Sequence, residues 1–125
     1  MEEEINYKYL RKIQEMEKKS PILIEINPEF YSSLSDYIKV LEKRLGKEES
    51  SQKKMLLKDE IKNTRKIAND IYEKREKKIM LAAVSKARGG YPDLKNLTEG
   101  ETSLFNSVLK LMLKNRKDIL CWYSV

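Results

Sequence analysis

Arg75 is the residue whose position raises the sharpest chemical question. It stands four residues after Ile71 and four before Ile79, where an amphipathic helix would carry leucine. Two arrangements satisfy a guanidinium there. Its stem can lie along apolar surface while the head reaches water, or the whole side chain is buried and forked onto a carboxylate. Glu101, in the first turn of a following helix, is the natural partner for the second arrangement. A buried pair of this kind fixes register more than it adds stability, yet breaking one costs about 3–5 kcal/mol. That is positioning chemistry, and the residue types needed for turnover are scarce. The sequence contains no histidine and one cysteine, Cys121. The commonest general base, the commonest zinc ligand and every Ser–His or Cys–His nucleophile are therefore missing, and no intrachain disulfide can form. Gly89-Gly90 lacks the flanking pattern of a phosphate-binding loop and reads as a helix end. Carboxylates interleave with lysines at i, i+4 spacing, as in Asp70/Lys74 and Glu73/Lys77, the pattern of a solvated helix surface. Carboxylate-only magnesium chemistry is the one catalytic class the composition leaves open. The expectation is a protein with no catalytic residue, no cofactor and no metal.

The charge is concentrated. Between Lys53 and Arg88 twelve basic residues face five acidic ones, a surplus of +7, which leaves −1 for the rest of a chain whose net charge is +6. Lys58, Lys62, Arg65 and Lys66, with Lys77 and Lys78, fall mostly off the apolar stripe of this segment. A solvated face is the simpler reading. The other is phosphate contact at Lys58, Lys62, Arg65 and Lys66, which would be weak, sequence-independent and steeply dependent on salt. No aromatic residues interleave with these cations to stack bases, and no recognition-helix pattern is present.

The elements that must hold these residues are helices. With 40% hydrophobic and 37% charged residues, four glycines and three prolines, the composition suits a few long helices carrying charge on their wet faces. Ile5, Tyr9, Leu10, Ile13 and Met16 mark a first helix to about Lys19, stopped at Ser20-Pro21. Ile22 to Ile26 reads as an extended, buried connector or a single short strand. Asn27-Pro28 signals a second helix, with Asn as N-cap and Pro at its first position. Its stripe is Phe30, Leu34, Tyr37, Ile38, Leu41 and Leu45, and Gly46 suits its C-terminal cap. Residues 47–52 form a polar break, expected to be a loop. The third helix runs from about Lys53 to Arg88 through Leu57, Ile61, Thr64, Ala68, Ile71, Tyr72, Arg75, Ile79, Ala82 and Ala83, and spans roughly 50 Å. Thr98 and Glu101 form a capping box for a fourth helix with Leu104, Phe105, Val108, Leu111, Met112 and Ile119. Tyr7, Tyr9, Trp122 and Tyr123 gather near the termini, where they either cap the bundle or serve an interface. No apolar run approaches the roughly 20 residues that span a bilayer, and the acidic N-terminus is unlike a secretory signal. The expectation is an all-α bundle of about four to five helices with one long central helix, cytoplasmic and without a membrane partner.

The stretch from Ile71 to Ile79, then Leu81-Ala82-Ala83, a loop and Leu97-Thr98-Glu99-Gly100-Glu101 resembles the helical domain of GINS subunits. There, a long helix carries an arginine followed by a Lys-Ile pair, and a Leu-Thr-x-x-Glu sequence opens the next helix. Glu29-Phe30-Tyr31 and Leu34 resemble the start of the preceding helix in archaeal members. The resemblance implies a subunit of the type whose helical domain comes first, here residues 1–120. Residues 121–125 would be a tail, or the start of a linker to the small β-rich domain that such members carry. It implies a non-catalytic, nucleoid-associated accessory of the MCM replicative helicase, tetrameric with itself or a paralogue, with a RecJ-like partner. Tyr72, Arg75, Lys78, Ile79, Glu101 and Phe105 would lie in the packing and interface seam. The alternatives from other classes are a stand-alone basic helical nucleic-acid-binding protein and a coiled-coil-like adaptor.

Overall fold

A 37-residue helix organises the chain. In a computed structural model, which describes residues 4–122, the order is α1 (Tyr7–Lys19), α2 (Phe30–Lys47), α3 (Ser51–Ala87) and α4 (Glu99–Ile119). The first, second and fourth helices each pack on α3, and no strand forms among the described residues. The fold is the expected all-α one.

Asn6 starts α1 by accepting the Tyr9 amide at 2.8 Å, the standard N-cap bond. Leu10, Ile13 and Glu17 make its buried face. Met16, placed on that face by the sequence reading, is instead 43% exposed. Glu17 takes the inward position, four residues after Ile13. The connector from Ser20 is extended, with Leu23, Ile24 and Ile26 buried and Ile22 exposed. It pairs with no strand.

The second helix begins two residues later than expected. The Asn27 side chain accepts the Glu29 amide at 2.7 Å, and its carbonyl accepts the Phe30 amide at 2.8 Å. Asn27-Pro28 thus forms a turn ahead of the helix, with an Asx bond at its start and the fixed φ of proline at its second position. Gly46 is not the cap, since α2 continues through Lys47. The break is only residues 48–50, because the Glu48 carboxylate accepts the amides of Glu49 and Ser50, and Ser50 in turn caps α3. Half of the expected loop at 47–52 is helix.

The buried line of α3 is Ile61, Thr64, Ile67, Ile71, Arg75, Ile79, Ala83 and Ala87. From Ile67 onward the step is four residues, which advances the line about 40° around the helix each time. The line therefore winds from the side that meets α1 and α2 to the side that meets α4. A fixed stripe drawn along the sequence includes Tyr72, which is 44% exposed, and omits Ile67, which is buried.

Two cores result. Leu10, Ile13, Ile24, Ile26, Phe30, Leu34, Ile67 and Ile71 form one, and Leu23, Ile79, Ala83 and Phe105 form the other. Arg75 lies on α3 between them. Thr64 is also buried, and its hydroxyl has no partner among the described residues. A buried hydroxyl without a partner is costly, so Thr64→Val is expected to raise the unfolding free energy by about 1 kcal/mol, read as a higher urea midpoint at unchanged slope.

The end of α3 is a Schellman motif. The Gly90 amide reaches the Ser85 carbonyl at 2.9 Å and the Gly89 amide reaches Lys86 at 3.0 Å, with Gly89 at φ 88°. A side chain at that left-handed position is strained, so Gly89→Ala is expected to cost about 1 kcal/mol in the same measurement. The chain then returns to the middle of α3, and α4 runs alongside in the same direction. Phe105 packs with Ile79 and Ala83, and Arg116 Nη1 donates to the Ala87 carbonyl at 3.1 Å.

Candidate functional site

Arg75 is fully buried, with 0% of its surface exposed. Its Nε donates to Glu101 Oε2 at 2.6 Å and its Nη2 to Glu101 Oε1 at 2.7 Å, a bidentate fork. Nη1 donates to Glu17 Oε1 at 2.6 Å and to the Ile24 carbonyl at 2.9 Å. Nη2 also donates to the Asn96 carbonyl at 2.9 Å. A guanidinium has five N–H donors, and all are used. Asn96 holds its carbonyl in place from a left-handed conformation, φ 69°, while its side-chain amide donates to the Leu23 carbonyl at 3.1 Å. Asparagine is among the few residues that accept that conformation.

Each carboxylate is also satisfied. Glu101 Oε1 accepts the Thr98 amide at 3.0 Å, which completes the capping box, and Oε2 accepts the Tyr31 hydroxyl at 3.0 Å. Glu17 Oε2 accepts the Ile24 amide at 3.3 Å and pairs with Lys78. Lys78 Nζ also donates to the Glu17 carbonyl at 2.7 Å and the Ile22 carbonyl at 3.0 Å. Two cations thus balance two carboxylates. The cluster is neutral, which is the condition under which burial of ions is tolerable. It ties α1, the 20–28 connector, α2, α3, the 88–98 loop and α4 to one point.

The electrostatics follow. Burial works against the charge on Arg75, but the hydrogen bonds and charges of Glu101 and Glu17 outweigh it and raise its pKa above the ordinary value. Burial likewise pushes the Glu101 carboxyl up, and the bonds from Arg75, the Thr98 amide and Tyr31 overcome it and hold the pKa down. Burial, then the neighbouring Glu101 charge, raises the Tyr31 phenol, which stays a neutral donor. Arg75, Glu101 and Tyr31, with pKa values moved away from neutrality, are suited to positioning and not to proton transfer.

Of the residues singled out in the sequence, Arg75 and Glu101 meet directly, Lys78 joins them through Glu17, and Ile79 and Phe105 lie in the adjoining core. Tyr72 lies at the rim, its ring edge-on to Tyr31 with centroids 6.2 Å apart. Glu17, Tyr31 and Asn96 are cluster members that the sequence reading did not assign. Glu17 had a readable signal in its place on the Leu10–Ile13 face. Lys58, Lys62, Arg65 and Lys66 are exposed and line one groove between α2 and α3, apart from this cluster. Trp122 is 82% exposed, and Tyr123 lies outside the described residues. Among the described residues no group of three His, Cys, Asp or Glu side chains is placed to hold a metal ion. No helix among them is long and apolar enough to cross a membrane.

The class these features define is an all-helical scaffold clamped by a buried ionic cluster. Comparisons with protein-family models, with curated proteins and with solved structures give no match.

Proposed function

We propose that this chain is a non-catalytic structural subunit of a GINS complex, an accessory of the MCM replicative helicase in DNA replication. The observation that carries the reading is the direct fork between Arg75 and Glu101, 26 residues apart. Among the residues on which the GINS resemblance rests, Arg75, Ile79 and the Leu-Thr-x-x-Glu opening join α3 to α4, and Lys78 joins α3 to α1. A second support is the surface. Met55, Leu56 and Leu81 on α3 and Leu111 and Ile119 on α4 are exposed along the two helices, as suits a subunit that buries apolar surface against other chains.

In this reading the cluster sets the angle between helices, and the rigid frame presents its outer faces to a paralogue or to further copies of itself in a tetramer. The helicase and a RecJ-like protein are the partners beyond that assembly. Affinity purification of the tagged chain from its native cells is expected to recover a GINS paralogue and MCM subunits. Recovery of no replication protein would contradict the reading.

A further inference from the structure

We infer that the groove between α2 and α3 lined by Lys58, Lys62, Arg65 and Lys66 is a contact surface for the phosphate backbone of duplex nucleic acid. Their spacing of i, i+4, i+7 and i+8 sets the four cations on one face of α3, and the fold adds α2 as the second wall of a groove that they line. Glu42 is the one carboxylate lining the groove, 3.4 Å from Arg65, so three lysines remain with no carboxylate of the groove bound to them. Lys58, Lys62 and Lys66 follow one another at four-residue steps, about 6 Å of rise each, which sets a row of charges along the groove at the scale of successive phosphates. Asn69 extends the row with a polar side chain.

The rest of the lining favours a backbone partner over other anions. Its floor is Leu45 and Ile61, and no aromatic residue is present to stack a base. The groove walls are helices whose backbone bonds are already made, so an acidic peptide has no strand edge to pair with and would be held by charge alone. A duplex brings the regular spacing of its phosphates to the row of lysines. Contact of this kind is made by charge alone, indifferent to sequence and paid for by counterion release. The surface lies apart from the Arg75 cluster and does not depend on the assembly reading.

The test uses the full chain and a short labelled DNA duplex, with binding followed by fluorescence anisotropy over a salt series. Each phosphate contact steepens the log–log salt dependence by about 0.9, so the parent slope is expected near −3. Lys58→Ala/Lys62→Ala is expected to reduce the slope by about 2 and to weaken binding uniformly across unrelated sequences. Lys110→Ala/Lys117→Ala removes the same charge from exposed positions on α4 and is expected to leave the slope unchanged. Circular dichroism confirms that both variants fold. Equal losses in the two pairs, or no loss in the groove pair, would overturn the inference. So would a polyglutamate peptide that binds as tightly as the duplex and loses affinity in the same groove variant, since that would assign the surface to an acidic protein.

Discussion

Arg75→Met is expected to lower the unfolding free energy by about 3–5 kcal/mol, a large share of the roughly 5–15 kcal/mol that holds a domain together. The loss does not come from the arginine's own contribution, since a neutral buried cluster adds little over an apolar core. It comes from what is left behind. Glu101 would remain buried without a cation, Glu17 would keep Lys78 alone, and the carbonyls of Ile24 and Asn96 would lose their guanidinium donors. Arg75→Lys is expected to recover little, because an ammonium cannot reproduce the fork onto Glu101 while also reaching Glu17. Lys74→Leu is the contrast. Lys74 pairs with Asp70 at 2.6 Å on a part-exposed surface, so its loss is expected to cost about 0.5 kcal/mol or less. Urea unfolding of the three variants ranks them. Equal midpoints for Arg75→Met and Lys74→Leu would show that the cluster does not clamp the fold.

Glu101→Leu is the second large loss, about 3–5 kcal/mol from the stranded guanidinium with about 1 kcal/mol more from the broken cap on α4. Here the effect also has a pH signature. The Glu101 pKa is depressed in the folded chain. Its contribution is therefore present above the unfolded carboxylate value near ~4.3 and is lost as pH falls through the folded value. Tyr31 has the opposite sense. Its raised pKa contributes stability below the ordinary value of 10.0, lost as pH rises above it. Parent stability is expected to be level between about pH 5 and 9 and to fall on both sides. Glu101→Leu should flatten the acid limb, which urea curves at a series of pH values will read. A parent whose stability holds unchanged down to about pH 2 would contradict the depressed carboxyl.

The parts of this design that could be read in the sequence are those with local signatures. Arg75 declared itself by interrupting an apolar stripe, and Glu101 by its three-residue spacing from Thr98. Their joining was one of the two arrangements open to Arg75, the buried one, which needs a carboxylate. Glu17 was harder to see, since in a chain with 37% charged residues one more glutamate beside lysines looks like surface. Its inward position depends on the rotation of α1, which set Met16 outside. Tyr72 and Ile67 were exchanged for a related reason. The face of α3 that is buried changes along its length as its neighbours change, and a single periodicity cannot follow two sets of partners. The start of α2 moved because Asn27-Pro28 satisfies a turn as well as a cap. The grouping of Lys58, Lys62, Arg65 and Lys66 was legible in their helical spacing, but the groove needed a second wall from α2, which only tertiary structure supplies.

The proposed role of the clamped frame is assembly. Light scattering of the purified chain, alone and mixed with a candidate paralogue, measures this directly. The expected result is a stable particle of four chains, formed by the protein itself or on addition of the paralogue. A clean monomer at every concentration, with and without the paralogue, would contradict it.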